Sequence, residues 1–221
     1  MQAIGHLLPF AVALALSAVP ILATLFILLS PNRKRSALPF LIGSLIGIFV
    51  VAALCTLAAQ AVPAARSPRR PDTVIGALEI IIGAALIVLA IFSFRRARKR
   101  SNTPIPAWLK SSGSLGPWSS FGLALVLNIR PKALLIAVAA GLTVRADAET
   151  LTDAVIALAI YTVIAASTVL VPIIATIAAP ERTEPKLIAG RDWMIRNGEA
   201  ITSIIGVVIG VVIVGMGLGR L

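Results

Sequence analysis

Five consecutive residues, Asn128-Ile129-Arg130-Pro131-Lys132, carry the most unusual chemistry in this chain, because they interrupt a long apolar stretch. A cation in the middle of an apolar helix costs roughly 2.5–3.5 kcal/mol on insertion scales, so two of them need a reason. Pro131 removes a backbone donor and frees carbonyl groups one turn earlier. At helical spacing Asn128, Pro131 and Lys132 share a face, and Arg130 points elsewhere. A kinked helix with freed backbone groups and two positive side chains suits an anion or a charged headgroup. The competing reading is a structural salt bridge combined with snorkelling.

Glu79 is the only acid well inside an apolar run. At 1.5 Å per residue it lies about 9 Å from the end of its run, and Lys132 about 15 Å from the same side. These depths predict a pair of Glu79 with Lys132 or Arg130, acting as a charge relay, as an ion-coupled gate or simply as neutralisation. Two polar stripes complete the candidate set: Ser17, Pro20 and Thr24 on one run, and Tyr161, Thr168, Pro172 and Thr176 on another. Such hydroxyls often bond their own backbone or a neighbouring helix, and otherwise line a cavity. Pro20 and Pro131 are candidate hinges, and Ser17, Thr24, Tyr161, Asn128, Arg130 and Lys132 candidate substrate contacts.

The elements that must position these residues follow from composition. Of 221 residues, 58% are hydrophobic and 13% charged, where a soluble domain averages about 45–50% and about 25%. Net charge is +11, but the basic residues sit in short loops between apolar runs rather than on a nucleic-acid-binding face. This pattern excludes soluble enzymes, disulfide scaffolds and disordered tails, and predicts an all-α integral membrane protein without a nucleic-acid partner. One cysteine, Cys55, and one histidine, His6, leave metal chemistry short of ligands. No Ser/His/Asp set, paired carboxylates or phosphate loop is present, so neither an enzyme nor a cofactor is expected.

Six apolar runs fall near residues 6–29, 38–62, 73–94, 119–142, 151–179 and 200–219, each close to the roughly 20 residues that cross a bilayer. No Lys or Arg precedes the first run, which is therefore expected to stay as a membrane helix. The whole chain, 1–221, reads as one transmembrane domain. Loops 30–37, 95–118 and 180–199 hold thirteen basic residues, against five in the other loops and the C-terminus. The positive-inside rule then places these three loops in the cytoplasm and both termini outside. Trp108 and Trp118 flank the cytoplasmic end of the fourth run. Leu187, Ile188, Met194 and Ile195, beside Lys186, Arg191 and Arg196, predict a short helix on the lipid surface, or an ordinary loop.

Pro20 and Pro131 are 111 residues apart, half the chain length, and the same shift carries Ser17 onto Asn128. Two inverted three-helix halves, about 1–94 and 119–221, are therefore expected, a plan common in secondary transporters with sites at broken helices. Gly43/Gly47 and Gly206/Gly210 have the spacing for close helix approach, within the chain or in a homodimer.

The stretch Leu16-Ser17-Ala18-Val19-Pro20-Ile21 leading to Leu29-Ser30-Pro31-Asn32-Arg33-Lys34-Arg35, the Gly43-containing second run, and Asn128 to Leu135 resemble the glycolipid-addressing proteins. These are the sulfolipid and peptidoglycolipid addressing (GAP/Sap-like) proteins of the lysine exporter (LysE) superfamily. Related exporters often have Asn-Pro directly where this chain has Asn-Ile-Arg-Pro. The resemblance implies six helices in two inverted halves, often a dimer, and export of solutes or delivery of lipids across the plasma membrane. The resulting expectation is a transporter carrying an amphipathic, anionic lipid or glycolipid towards the outer leaflet, with membrane lipids as partners. The alternatives are an ion-coupled exporter of small solutes such as amino acids, and a non-transporting scaffold of a lipid-export complex. A cavity open sideways favours the first, a closed polar pocket the second, and no polar cavity around Asn128–Lys132 the third.

Overall fold

The computed structural model describes residues 2–60, 73–99 and 116–219. Eight α-helices account for nearly all of them, and no strand occurs among them. They are α1 (Gln2–Ala15), α2 (Ala18–Leu28), α3 (Arg33–Ala59), α4 (Thr73–Lys99), α5 (Pro117–Leu127), α6 (Pro131–Asp147), α7 (Leu151–Ala178) and α8 (Pro180–Leu218). The loop positions Arg66, Arg69, Arg70, Trp108 and Lys110, and Arg220, lie outside the described residues.

Among the described residues four segments are long and apolar enough to cross a membrane: α3, Ile75–Arg95 of α4, α7, and Ala200–Leu218 of α8. The first and fourth apolar runs are each a bent pair. The α1–α2 pair turns through 53° and the α5–α6 pair through 64°, which makes up to six spans. Proline chemistry places both bends. Pro131 is the first residue of α6, and Arg130 before it is extended at ψ 148, as the ring of a following proline requires. Pro20 is the third residue of α2 and has no N–H to offer Leu16, so the helix stops there and Ser17 is extended at ψ 122. Proline sets where these bends fall but does not by itself force one, since Pro39 and Pro172 sit inside continuous helices.

Glycines set the helix contacts. A Cβ on Gly83 would lie 2.7 Å from the Gly210 carbonyl oxygen, and one on Gly217 2.6 Å from that of Gly76, so α4 and α8 touch backbone to backbone. Gly141 of α6 meets the backbone of Cys55 and Thr56 on α3 in the same way. Gly43 brings α3 onto Phe121 of α5. The packing partners run in parallel sets: α3 lies on α5 and α7 on α1, while α2 lies on α8 and α6 on α4.

One expected boundary is wrong. Residues 180–199 are not a separate loop or a surface helix, because α8 runs unbroken for 39 residues, about 58 Å. Its first part packs on α2, with Gly198 against Ala18. Leu187, expected to face lipid, is buried in a cluster with Ile27, Leu28 and Phe40. An Arg33–Glu184 ion pair at 3.2 Å closes this end of the bundle, and a His6–Asp147 hydrogen bond at 2.8 Å closes the other.

Candidate functional site

Both helix breaks converge on one residue of α8. Thr202 accepts a hydrogen bond from the Ala18 backbone N–H at its Oγ1, 3.1 Å, and its carbonyl accepts one from Lys132 Nζ, 3.1 Å. Ala18 is the first residue of α2 and Lys132 the second of α6, so one residue of α8 ties the backbone at the start of α2 to the Lys132 side chain that reaches over from the start of α6. Helix N-termini carry partial positive charge and free N–H groups, which favour an anion. Neither terminus is capped by its own side chain.

The breaks satisfy themselves with local and cross-helix bonds. Thr168 of α7 donates to the Ala15 carbonyl at 2.7 Å, taking up an acceptor that the interrupted α1 leaves open. At the second break Asn128 Nδ2 donates to the Ala124 carbonyl at 2.9 Å, and Arg130 Nε to the Leu127 carbonyl at 3.0 Å. Arg130 and Lys132 are thus held on neutral carbonyls, acceptors that a phosphate, sulfate or carboxylate oxygen outcompetes, since charge-assisted bonds are about twice as strong.

Between the breaks lies a small cavity of about 20 Å³, lined by Pro20, Ser44, Asn128, Arg130 and Thr168 with apolar neighbours. A single water needs roughly 10–15 Å³ by this measure, so a headgroup enters only if the helices part. The second break reaches the outside of the bundle: Ile129 is 60% exposed and Pro131 is exposed. The cations therefore stand between a closed interior and an outward-facing edge.

The expected site residues divide into two groups. Pro20, Asn128 and Arg130 line the cavity, Lys132 joins through Thr202, and buried Ser17 starts α2 beside them. Thr24, Tyr161 and Glu79 are elsewhere. Thr24 is fully buried and gives its hydroxyl to the Pro20 carbonyl. Tyr161 packs among Ile4, Leu7 and Ala11 of α1, two turns from Thr168. Glu79 is fully buried on α4, but the helix register separates it from Lys132. A Cβ on Gly206 would lie 3.0 Å from Ala90 and 3.8 Å from Lys132 Nζ, and Ala90 is eleven residues, about 16 Å, along α4 from Glu79. The expected Glu79–Lys132 pair does not form. Its premise was a straight fourth span, whereas α6 bends away and runs on to Asp147.

Thr202 and Ser44 are the members that sequence reasoning missed; a hydroxyl in an apolar run is their only signal. Among the described residues no three His, Cys, Asp or Glu side chains lie close enough to hold a metal ion.

The model of the sulfolipid-1-addressing protein (Sap) family matches residues 7–219. The chain belongs to that family. Comparison with curated proteins and with solved structures returns no significant match. For a sulfolipid-1-addressing family member, a role in lipid or glycolipid addressing is the coarse functional conclusion, and the apolar helices fit a multi-pass membrane protein.

Glycines of α3 tune this site. A Cβ on Gly47 would stand 2.6 Å from Asn128 Nδ2, and one on Gly43 2.7 Å from the Phe121 carbonyl oxygen. The Asn128 amide can rotate away, but backbone cannot. Gly47→Ala should therefore keep the fold and disturb function, while Gly43→Ala should lower the thermal midpoint. Thermal unfolding in detergent beside a transport assay checks both.

Proposed function

We propose that this protein is a transporter, not an enzyme, that moves an amphipathic, anionic lipid or glycolipid from the inner towards the outer leaflet of a bacterial plasma membrane. The observation that carries the reading is the convergence of the α2 N-terminus and the Lys132 side chain on Thr202, with Arg130 beside them and the second break exposed on the outside of the bundle. A headgroup oxygen displaces Lys132 from the Thr202 carbonyl and Arg130 from Leu127, and the acyl chains stay outside, beside Ile129. The sideways exposure favours a lipid over a small water-soluble solute such as an amino acid. The polar groups Ser44, Asn128, Arg130 and Thr168 in the otherwise apolar cavity wall argue against a purely scaffolding role.

Alternating access in this reading uses the bends at Ser17 and Arg130 as hinges, with Pro20 and Pro131 keeping them from healing into straight helices. The paired contacts, α3 on α5 with α7 on α1 and α2 on α8 with α6 on α4, support two inverted halves as in the lysine exporter superfamily. Loops 30–37, 95–118 and residues 180–199 are assigned to the cytoplasmic side by their basic residues, and both termini to the outside. Membrane lipids are the immediate partners, and a homodimer remains within this proposal.

Thr202 is the test of the two-break arrangement. Thr202→Val removes the hydroxyl that holds Ala18 but leaves the carbonyl that holds Lys132. Hydrogen bonds between membrane helices average about 0.6 kcal/mol, so stability should barely change. Transfer of a fluorescent anionic lipid between leaflets of proteoliposomes should fall several-fold, and Thr202→Ser should restore it. Equal transfer by the valine variant would show that the breaks work independently.

A further inference from the structure

We infer that the first half of α8 carries a second lipid contact, a basic and aromatic face that gathers anionic lipid headgroups on the side of α8 turned away from the helix breaks. At 3.6 residues per turn, Arg182, Lys186, Trp193 and Arg196 fall within about 80° of one another on α8. All four are exposed, Trp193 to 50%. The opposite side of the same helix is occupied: Leu187 is buried in the cluster with α2 and α3, and Gly198 lies against Ala18. Among the described residues nothing covers the exposed face, and its orientation is fixed by what the other side packs on.

The occupant follows from charge and position. Arg196 is four residues before Ala200, where the apolar segment of α8 begins, so it and Trp193 stand about 6–11 Å along the helix from that boundary. That is headgroup depth, where tryptophan rings anchor and cations meet phosphate. Three cations around one tryptophan match an anionic lipid surface. An ion pair holds Arg33 to Glu184, leaving the Arg182–Arg196 face free of that acid. Arg196 lies six residues, about 9 Å along the axis, before Thr202, with the body of α8 between this face and Lys132. This contact does not depend on transport through the breaks.

The test uses the full chain with Trp193 as its only tryptophan (Trp108→Phe and Trp118→Phe) in phosphatidylcholine vesicles holding a fixed fraction of phosphatidylglycerol. Bromine is carried on the acyl chains of one lipid or the other, at equal bromine content. Brominated phosphatidylglycerol should quench Trp193 roughly two-fold more than brominated phosphatidylcholine, since each basic residue near an anionic surface attracts it. The excess should vanish in Arg182→Gln/Lys186→Gln/Arg196→Gln and in high salt, and persist in Arg130→Gln/Lys132→Gln. That last variant separates failure of this contact from failure of the transport site. Equal quenching by the two lipids in the otherwise unaltered chain, or an excess that survives the triple substitution, overturns the inference.

Discussion

Arg130→Gln/Lys132→Gln should abolish leaflet transfer of an anionic lipid and leave the fold intact. Each cation contributes a charge-assisted hydrogen bond of about 1.5–3 kcal/mol to a bound anion. Losing both weakens headgroup binding by roughly 10²- to 10⁴-fold at 1.4 kcal/mol per decade. Stability moves the other way, because each charge costs roughly 2.5–3.5 kcal/mol at membrane depth and glutamine costs less. Both side chains bond only backbone carbonyls among their observed partners, and a glutamine amide can donate to the same groups. Arg130→Lys should retain part of the activity, since an ammonium keeps the charge but not the planar fork of donors. Transfer assayed with a zwitterionic lipid of the same chain length should depend far less on either residue.

Gly141→Leu should prevent assembly of the bundle, and even Gly141→Ala should cost about 1–3 kcal/mol, as overpacking of a close contact does. A Cβ at this position would lie 2.7 Å from the Cys55 carbonyl carbon, 2.8 Å from the Thr56 nitrogen and 2.9 Å from the Cys55 oxygen. All three are backbone atoms of α3, so no side-chain rotation relieves the clash. The two helices must separate, and α6 carries Lys132 with it. Gly122 is the control: nothing lies within 4 Å of its added Cβ, and alanine there should be neutral or slightly stabilising. Yield of monodisperse protein and thermal midpoint in detergent distinguish the two positions.

The spans were legible because backbone groups in lipid must bond within their own segment, so long apolar runs can only be helices. Observed α3, α4 and α7 fall close to the apolar runs. The two prolines also announced their bends, although Pro20 acts three residues upstream of itself, where its missing N–H leaves α2 to begin. What composition could not disclose was relative depth. Glu79 and Lys132 sit at similar distances from the ends of their apolar runs, yet the α4–α8 register places them far apart. Tyr161 shares a face with Thr168 on α7, but α1 covers it. Residues 180–199 were misread for a different reason. Their charges break the apolar pattern without breaking the helix; Pro180 opens it, where proline is tolerated, and Pro185 lies inside it without ending it. Thr202 carried no signal stronger than that of any other hydroxyl in an apolar run.

The claim that the two breaks form one headgroup site is tested most directly by photo-crosslinking in membranes. An anionic lipid carrying a diazirine on its headgroup is reconstituted with the protein, irradiated and mapped by mass spectrometry. Adducts should appear on residues flanking both breaks, Ser17 to Pro20 and Asn128 to Lys132, together with Thr202. They should be competed by unlabelled anionic lipid and lost in Arg130→Gln/Lys132→Gln. Adducts confined to outward-facing positions such as Phe92 and Val163, with none at the breaks, would contradict the account.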